Sequence, residues 1–288
     1  MTTPVITFLS DYGLGNEFVG VCHAVIARRC PEARVIDLTH AIPRHDVHTG
    51  AIVLRGTLPY LPDAIILAVV DPGVGTTGAR GRRAVAVRTV EEGRLFVGPD
   101  NGLLMPVCER LGGVAEAVDV AGSPERLEPV SPTFHGRDIF APVAGALAAG
   151  VPLASLGEPL EPDSLRRLNI PVAVMTDAGL ELHVLHSDTF GNVILDGQTE
   201  QVAQLGLKLG DDVWVHSGGR RYHATFARTF ADVHPGGLLL YKDGLGMLAL
   251  AVNRGSAVEL LGAGRHDEVL VAPGEPLAPQ GSVRWKIR

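Results

Sequence analysis

Hydrophobic positions in the first half of the chain alternate between two kinds of pattern. Short runs rich in apolar residues, at 5–9, 34–38 and 63–70, have the length and composition of buried strands. Between the first two runs, apolar residues recur every three to four positions from Phe18 to Ile26, which predicts a helix with one buried face.

The same alternation continues towards the middle of the chain. Residues 84–87 and 95–97 predict two more strands, and residues 47–58, 101–111 and 138–149 predict helices. The nearly continuous apolar character of residues 63–70 is typical of a strand covered on both faces. The first half therefore predicts an α/β fold with a mainly parallel sheet and helices on both faces.

The pattern changes after about Gly150. Residues 151–171 are rich in proline and irregular, which predicts a linker. Beyond them, short alternating segments separated by Gly or Asp-Gly turns predict a smaller all-β unit, a sandwich or a barrel. We therefore predict an α/β domain at 1–150, a linker at 151–171 and a β-barrel-like domain at 172–288.

Composition and charge argue against several classes of binding partner and structural site. The net charge is -7, from 25 Lys and Arg against 32 Asp and Glu, whereas nucleic-acid binders need a basic surface. The three cysteines show no CxxC spacing, which argues against a disulfide framework or a zinc ribbon. No run approaches the roughly 20 apolar residues of a membrane span, and no basic segment precedes the first apolar run. We expect a cytoplasmic protein with neither nucleic acid nor membrane as partner.

Polar residues cluster at four predicted strand ends or turns of the first half. In a parallel sheet the carboxyl ends of the strands meet at one edge, where α/β proteins bind ligands. These groups are therefore expected to converge on a single crevice. The four clusters are residues 10–13, Asp71, residues 98–102 and residues 133–138.

Each cluster also has an ordinary structural explanation. Asp11 before a glycine is suited to an Asx turn, Asp100 to a helix N-cap, and His135 to a solvated turn. Gly73 and Gly75 hint at a phosphate loop, but neither a Gly-Lys-Ser/Thr sequence nor GxGxxG accompanies them.

Three histidines close together raise the question of a metal. His40, His45 and His48 lie near Asp37 and Asp46, but their spacing matches no metal-binding motif. We expect no metal site.

The motifs together resemble the S-adenosylmethionine hydrolase (hydroxide adenosyltransferase) family, which is related to the fluorinating and chlorinating enzymes that use the same substrate. DPGVG, PDNGLL and FHGRD in one chain are highly specific, although none would be alone. The resemblance spans nearly the whole chain, through TFLSDYGLGNEFVG (7–20), LTHAIPRHDV (38–47), VVDPGVGT (69–76), RRAVAV (82–87), GPDNGLL (98–104), TFHGRDIFAP (133–142), SDTFGNVI (187–194) and LALAVNRGSA (248–257).

The resemblance implies an N-terminal α/β domain, a C-terminal β-barrel-like domain and a homotrimer with active sites between subunits. It implies hydrolysis of S-adenosyl-L-methionine to adenosine and methionine without a cofactor. An Asp–Arg–His set would serve catalysis, matching Asp71, Arg82 and His135. Arg80 is the alternative arginine, because residues 77–81 lengthen the segment in front of the RRAVAV strand.

The hydrolysis reaction suits an Asp, an Arg and a His as catalytic residues. The sulfonium leaves as a neutral thioether, so catalysis needs a water held in line with ribose C5′ rather than a general acid. A carboxylate, a guanidinium and an imidazole around one water can orient it and favour hydroxide character. The halide-using relatives lack the Asp and His at these two positions, because an anion close by repels halide.

For the substrate, the resemblance implies that Asp11 binds the ribose diol and that Phe134 lines the C5′ side. A carboxylate accepting two hydroxyl hydrogen bonds is chemically apt. Two positions depart from many relatives: Asn16 replaces an acid, and Asp243-Gly244 replaces Asn-Ser, so a serine suited to the methionine carboxylate is absent.

The second half supplies the remaining contacts that the resemblance implies. Asp188 would lie near the methionine amino group, where its charge suits an ammonium. Phe190 and Asn192 would contact adenine by stacking and by hydrogen bonds, and backbone groups around Asn253 and Arg254 would face the purine.

Two other functions remain as alternatives to the hydrolase. One is a non-catalytic adenosine or S-adenosylmethionine binding protein, which would not need Asp71, Arg82 and His135 together. The other is a halide-dependent adenosyl transferase, which the charged Asp71 disfavours.

Overall fold

The structure is a computed structural model that describes residues 3–76 and 81–274. The chain forms two compact units, Met1–Ile170 and Pro171–Arg288. Within the described residues, no helix is both long enough and apolar enough to traverse a bilayer. Arg80, the alternative catalytic arginine, lies outside the described residues.

A seven-stranded sheet forms the centre of the first unit. Its strands are β1 (Val5–Ser10), β2 (Arg34–Thr39), β3 (Ile65–Val69), β4 (Ala84–Thr89), β5 (Leu95–Pro99), β6 (Val114–Asp119) and β7 (Glu158–Leu160). They lie in the order β2-β1-β3-β5-β4-β6-β7. Strands β2, β1, β3, β5 and β6 share one direction, and β4 and β7 run against it. The predicted mainly parallel sheet is confirmed.

Helices cover both faces of this sheet, as predicted. They are α1 (Phe18–Arg29), α2 (Val47–Thr57), α3 (Met105–Arg110) and α4 (Ala141–Ala148), the last continuing from a π-helical turn at Gly136–Phe140. Successive residues of β1 point to opposite sides. Phe8 lies in the core beneath α1 and α4, whereas Leu9 lies in the core beneath α2 and α3.

Helix α3 begins at Met105, four residues later than the apolar pattern predicts. The cause is Asn101, whose side-chain amide donates to the Val70 carbonyl at 2.8 Å and whose side-chain oxygen accepts from the Leu103 amide at 3.2 Å. These two hydrogen bonds hold residues 101–104 in a turn, so the helix begins only at Met105. Strand β6 was not predicted, because its apolar run is short.

Residues 151–170 form part of the first unit. They include β7, which pairs with β6, and two single 3₁₀ turns. Asp100 joins this segment to the sheet: its carboxylate accepts from the Arg83 side chain and from the Arg166 amide, each at 2.8 Å. Asp100 therefore does not cap α3.

The second unit is a closed barrel, as the resemblance implied. Seven strands close it in the order β9-β10-β14-β13-β12-β11-β15, and β15 pairs with β9 to complete the ring. Strand β8 is an additional strand that pairs with β9. Its apolar interior comes from alternate strand residues. The elements are β8 (Val174–Thr176), β9 (Gly179–Ser187), β10 (Val193–Leu195), α5 (Thr199–Gln204), β11 (Asp212–Ser217), β12 (Arg220–Phe226), β13 (Leu238–Lys242), β14 (Leu248–Val252), α6 (Ala257–Leu261) and β15 (Glu268–Pro273).

Gly98 on β5 gives the first testable prediction. A Cβ atom at this position would lie 2.3 Å from the Ala68 carbonyl oxygen on the neighbouring strand. Relieving this clash would require the backbone of the sheet to shift. We expect Gly98→Ala to lower the free energy of unfolding by about 1–3 kcal/mol, as overpacking does. Gly20→Ala is the control, since nothing lies within 4 Å of its added Cβ. Urea unfolding of both variants tests this, and equal stability would contradict it.

Candidate active site

A cleft of about 250 Å³ opens in the first unit at the edge where β1 and β3 end. Asp11 directly follows β1, and Asp71 follows β3 after one residue. The cleft is lined by these two carboxylates, by Arg44 and His45, and by residues 133–136. Parallel strands bring their carboxyl ends to one edge, so residues distant in sequence meet there.

Asp71, Arg82 and His135 are joined by direct contacts. The Arg82 Nε donates to both Asp71 carboxylate oxygens, at 2.9 and 3.0 Å, and its Nη2 also contacts Asp71 Oδ2. The same Nη2 donates to His135 Nδ1 at 2.8 Å. The side chains of Asp71 and Arg82 are each only 6% exposed. The three residues therefore form one rigid, charge-assisted unit.

This arrangement fixes the protonation of His135. A guanidinium is always protonated and only donates, so Nδ1 must be the acceptor and the ring proton lies on Nε2. Burial lowers the pKa of His135 and the positive charge of Arg82 lowers it further, against the opposing effects of Asp71 and Asp138. The imidazole is therefore neutral at neutral pH, with an Nε2–H donor.

The Asp-Pro-Gly turn after β3 also holds the loop that carries His135. The turn closes with hydrogen bonds from the Val74 amide to Asp71 O at 3.3 Å and from the Thr76 amide to Gly73 O at 3.2 Å. Gly75 has φ +73°, and a Cβ there would lie 2.2 Å from the carbonyl oxygen of Pro132. Only glycine allows this contact, which brings residues 132–135 against the turn.

The loop after β1 holds Asp11 at the cleft. Asp11 Oδ2 accepts from the His45 amide at 2.8 Å, and the Gly13 amide donates to the His40 carbonyl at 2.7 Å. His45 itself has φ 65°, a conformation uncommon outside glycine. The Asp11 carboxylate is thus tethered by one oxygen.

Aromatic rings form one wall of the cleft. Tyr12, Phe18 and Phe134 meet edge to face, with centroids 5.3 to 6.0 Å apart. Gly136 lies beneath Tyr12, and a Cβ there would lie 1.9 Å from the phenol oxygen. The wall therefore depends on the glycine that follows His135.

The predicted residues of the second half lie on two loops of the second unit. Asp188 Oδ1 accepts from the amides of Phe190 and Asn192, each at 2.9 Å, and Oδ2 accepts from the Asn192 side chain at 2.7 Å. Phe190 is 79% exposed. The Asn253 side chain donates to the Val233 carbonyl at 2.8 Å, and Arg254 is exposed with φ 59°.

Arg44, His45 and Tyr12 line the cleft without having been predicted as site residues. Their signal in the sequence was their presence within the quoted motifs at 7–20 and 38–47. His45 and His40 do not share a metal cluster. Within the described residues, the one group of His, Cys, Asp and Glu with metal-binding spacing is His23, Asp37 and His40.

Comparison with known proteins matches both units. The family model of the SAM hydroxide adenosyltransferase N-terminal domain matches residues 6–157, and that of the C-terminal domain matches residues 182–270. An (R)-S-adenosyl-L-methionine hydrolase from Salinispora arenicola is 46% identical over 95% of this chain and 99% of its own length. One of the same name from Thermus thermophilus is 41% identical over 89% of this chain and 95% of its own length.

A more distant relative and a solved structure are also similar to this chain over most of its length. A fluorinase from Nocardia brasiliensis is 30% identical over 88% of this chain and 91% of its own length. The crystal structure of an uncharacterized conserved protein from Thermotoga maritima has a TM-score of 0.85 at 38% identity, covering 93% of this chain and 99% of that one. Both domain models, in the family's order, and full-length relatives above 40% identity lead to one conclusion: the chain belongs to the SAM hydroxide adenosyltransferase family.

Proposed function

We propose that this protein hydrolyses S-adenosyl-L-methionine to adenosine and L-methionine. The observation that carries the proposal is the Asp71–Arg82–His135 unit at the cleft. Support also comes from relatives of 41–46% identity that are named (R)-S-adenosyl-L-methionine hydrolase. The three free cysteines, all buried, agree with a cytoplasmic location.

The proposed reaction is a displacement at ribose C5′. A water oxygen forms the new bond to C5′, the C5′–S bond breaks, its electron pair stays on the neutral thioether sulfur of methionine, and one proton is released. No acid is needed at the leaving group. The task of the protein is to hold the water in line and to stabilise negative charge on its oxygen.

Each of the three residues has a distinct part in this proposal. Asp71 and His135 line the cleft and bind the water, with His135 donating from Nε2–H. Arg82 holds both of them and supplies positive charge that favours hydroxide character. The Asp71 carboxylate also disfavours a halide nucleophile, since two anions repel strongly where water is excluded.

Asp11 is the proposed ribose ligand. One of its oxygens already accepts from the His45 amide, which orients the carboxylate and leaves further acceptor positions for the ribose 2′- and 3′-hydroxyls. Phe134, beside His135 in the aromatic wall, would exclude bulk water from C5′.

We further propose a homotrimer in which the barrel of a neighbouring chain completes each site. The described residues that line the cleft all lie between positions 11 and 136, so they come from the first unit alone. The loops around Asp188, Phe190, Asn192, Asn253 and Arg254 would bind adenine and the amino-acid end from that neighbour. The exposed Phe190 ring would stack on the purine.

The first test of the activity is Asp71→Asn. Removing the charge that binds the water should lower kcat by about 10²–10⁴-fold, with little change in the Kd of S-adenosylmethionine. Adenosine and methionine are followed by chromatography, with each sulfonium epimer and with and without chloride. Glu116→Gln, on an exposed ion pair with Arg88, is the matched control and should keep full activity.

Three outcomes of that assay would contradict the proposal. Unchanged turnover in Asp71→Asn would exclude the proposed water site. Substrate binding without adenosine formation in the unmutated protein would favour a binding protein, and a chloride-dependent product would favour a halide transferase.

Arg82→Lys and Arg80→Lys, compared in parallel, identify the catalytic arginine; we expect only the former to lose activity.

The lowered pKa of His135 predicts the pH dependence. Its neutral form is the active one, so kcat/KM should be flat at neutral pH and should fall only below the ordinary imidazole pKa of about 6.5. The fall occurs as pH decreases, because protonation converts Nδ1 from an acceptor into a donor that faces Arg82. His135→Gln should lose this inflection along with most activity. A decline that sets in above pH 7 would contradict the assignment.

Mixing two inactive variants tests the trimer. We expect Asp71→Asn and Asn192→Ala each to be inactive alone, because each damages one half of every site. In co-expressed trimers, random assembly should restore about one quarter of the sites if each site is shared by two chains. Light scattering should give three times the 30.4 kDa chain mass. Trimers without recovered activity would contradict shared sites.

A further inference from the structure

Two histidines and one aspartate meet behind the loop that carries Asp11. His23 lies on α1, Asp37 on β2 and His40 just after β2. Asp37 Oδ1 is 2.8 Å from His23 Nε2 and 3.0 Å from His40 Nε2. One donor atom from each residue lies within 4.8 Å of the other two.

His40 gives the strongest indication that this group binds a ligand. Its side chain is 2% exposed, and its buried Nε2 makes no hydrogen bond of acceptable geometry although Asp37 Oδ1 is within reach. Its other ring nitrogen, Nδ1, is 2.7 Å from the Ser10 hydroxyl. A buried ring nitrogen without a well-aligned partner is costly unless something else binds it.

The surroundings have the form of a metal site. A metal-ligating histidine normally donates its second ring N–H to a fixed oxygen, which leaves the lone pair of the other nitrogen for the ion. Ser10 Oγ offers that oxygen to His40. The Phe8 ring lies against both imidazoles, with centroids 4.7 Å from His40 and 6.2 Å from His23, and forms an apolar wall.

We propose that His23, Asp37 and His40 bind one divalent transition-metal ion, with Zn²⁺ as the best match. Two imidazole nitrogens and one carboxylate oxygen form a ligand set that zinc prefers, with the fourth position left to water. Around a tetrahedral ion with bonds of about 2.0–2.1 Å, ligand atoms lie about 3.3 Å apart. The 2.8 and 3.0 Å separations need only a small expansion.

An ion at this position would take no part in the displacement at ribose C5′. None of the three residues is among the described residues that line the cleft. They connect to it through the backbone: the His40 carbonyl accepts from the Gly13 amide at 2.7 Å, and Ser10 Oγ accepts from the Tyr12 amide at 3.3 Å. The ion would tie α1 to the end of β2 and thereby steady the loop on which Asp11 lies.

The test is zinc binding to the chelator-treated full-length protein. Calorimetry with ZnCl₂ should give one site per chain and a raised Tm, and CoCl₂ should give visible d–d bands of a low-coordinate ion. We expect His23→Gln and Asp37→Asn to weaken binding at least about tenfold and to abolish the bands. Both side chains are about one-third exposed or more, so these variants should fold.

His223→Gln is the matched control, because His223 pairs with Asp212 at 3.0 Å in the same way but belongs to no three-residue metal-ligand group among the described residues. It should bind zinc as the unmutated protein does. Absence of a saturable site, or an unchanged Kd in His23→Gln, would overturn the proposal and leave a His–Asp–His cluster without a metal. Either result is independent of adenosine formation by the metal-free protein.

Discussion

The first unit depends on the buried ion pair between Asp71 and Arg82. Two charges that are each 94% removed from solvent must be paired, because leaving one alone typically costs about 3–5 kcal/mol. The pair therefore fixes the end of β3 against the start of β4. His135 joins through the same guanidinium, so the position of the third segment follows from the first two.

Glycines make this arrangement possible where a backbone carbonyl and an aromatic ring approach the main chain closely. Gly75 admits the Pro132 carbonyl, and Gly136 admits the Tyr12 ring. These two contacts hold the His135 loop against the β3 turn and against the aromatic wall. Packing, charge and the geometry of the cleft in this way depend on a few shared contacts.

The two units contribute different chemistry. The first offers carboxylates, a guanidinium and an imidazole at a sheet edge, while the second offers loops whose polar groups are largely satisfied among themselves, as in Asp188 with Asn192. An exposed aromatic ring on such a loop is suited to stacking on a flat ligand. In the proposed function, the first unit carries the displacement and the second recognises the nucleoside.

The sequence by itself determined the fold class and the segments that form the cleft. Strands such as β1 and β3 are visible because a buried strand must be apolar along its length, and the polar residues that follow them are local neighbours in the chain. The motifs also identified Asp11, Asp71 and His135 as candidates. Tertiary structure alone decided that Arg82 lies between two of them, that Asp100 is bound to Arg83 instead, and that Asn101 delays α3. It also brought His23, rather than His45 or His48, to Asp37 and His40. These are contacts between residues far apart in sequence, and periodicity carries information only about neighbours along one element.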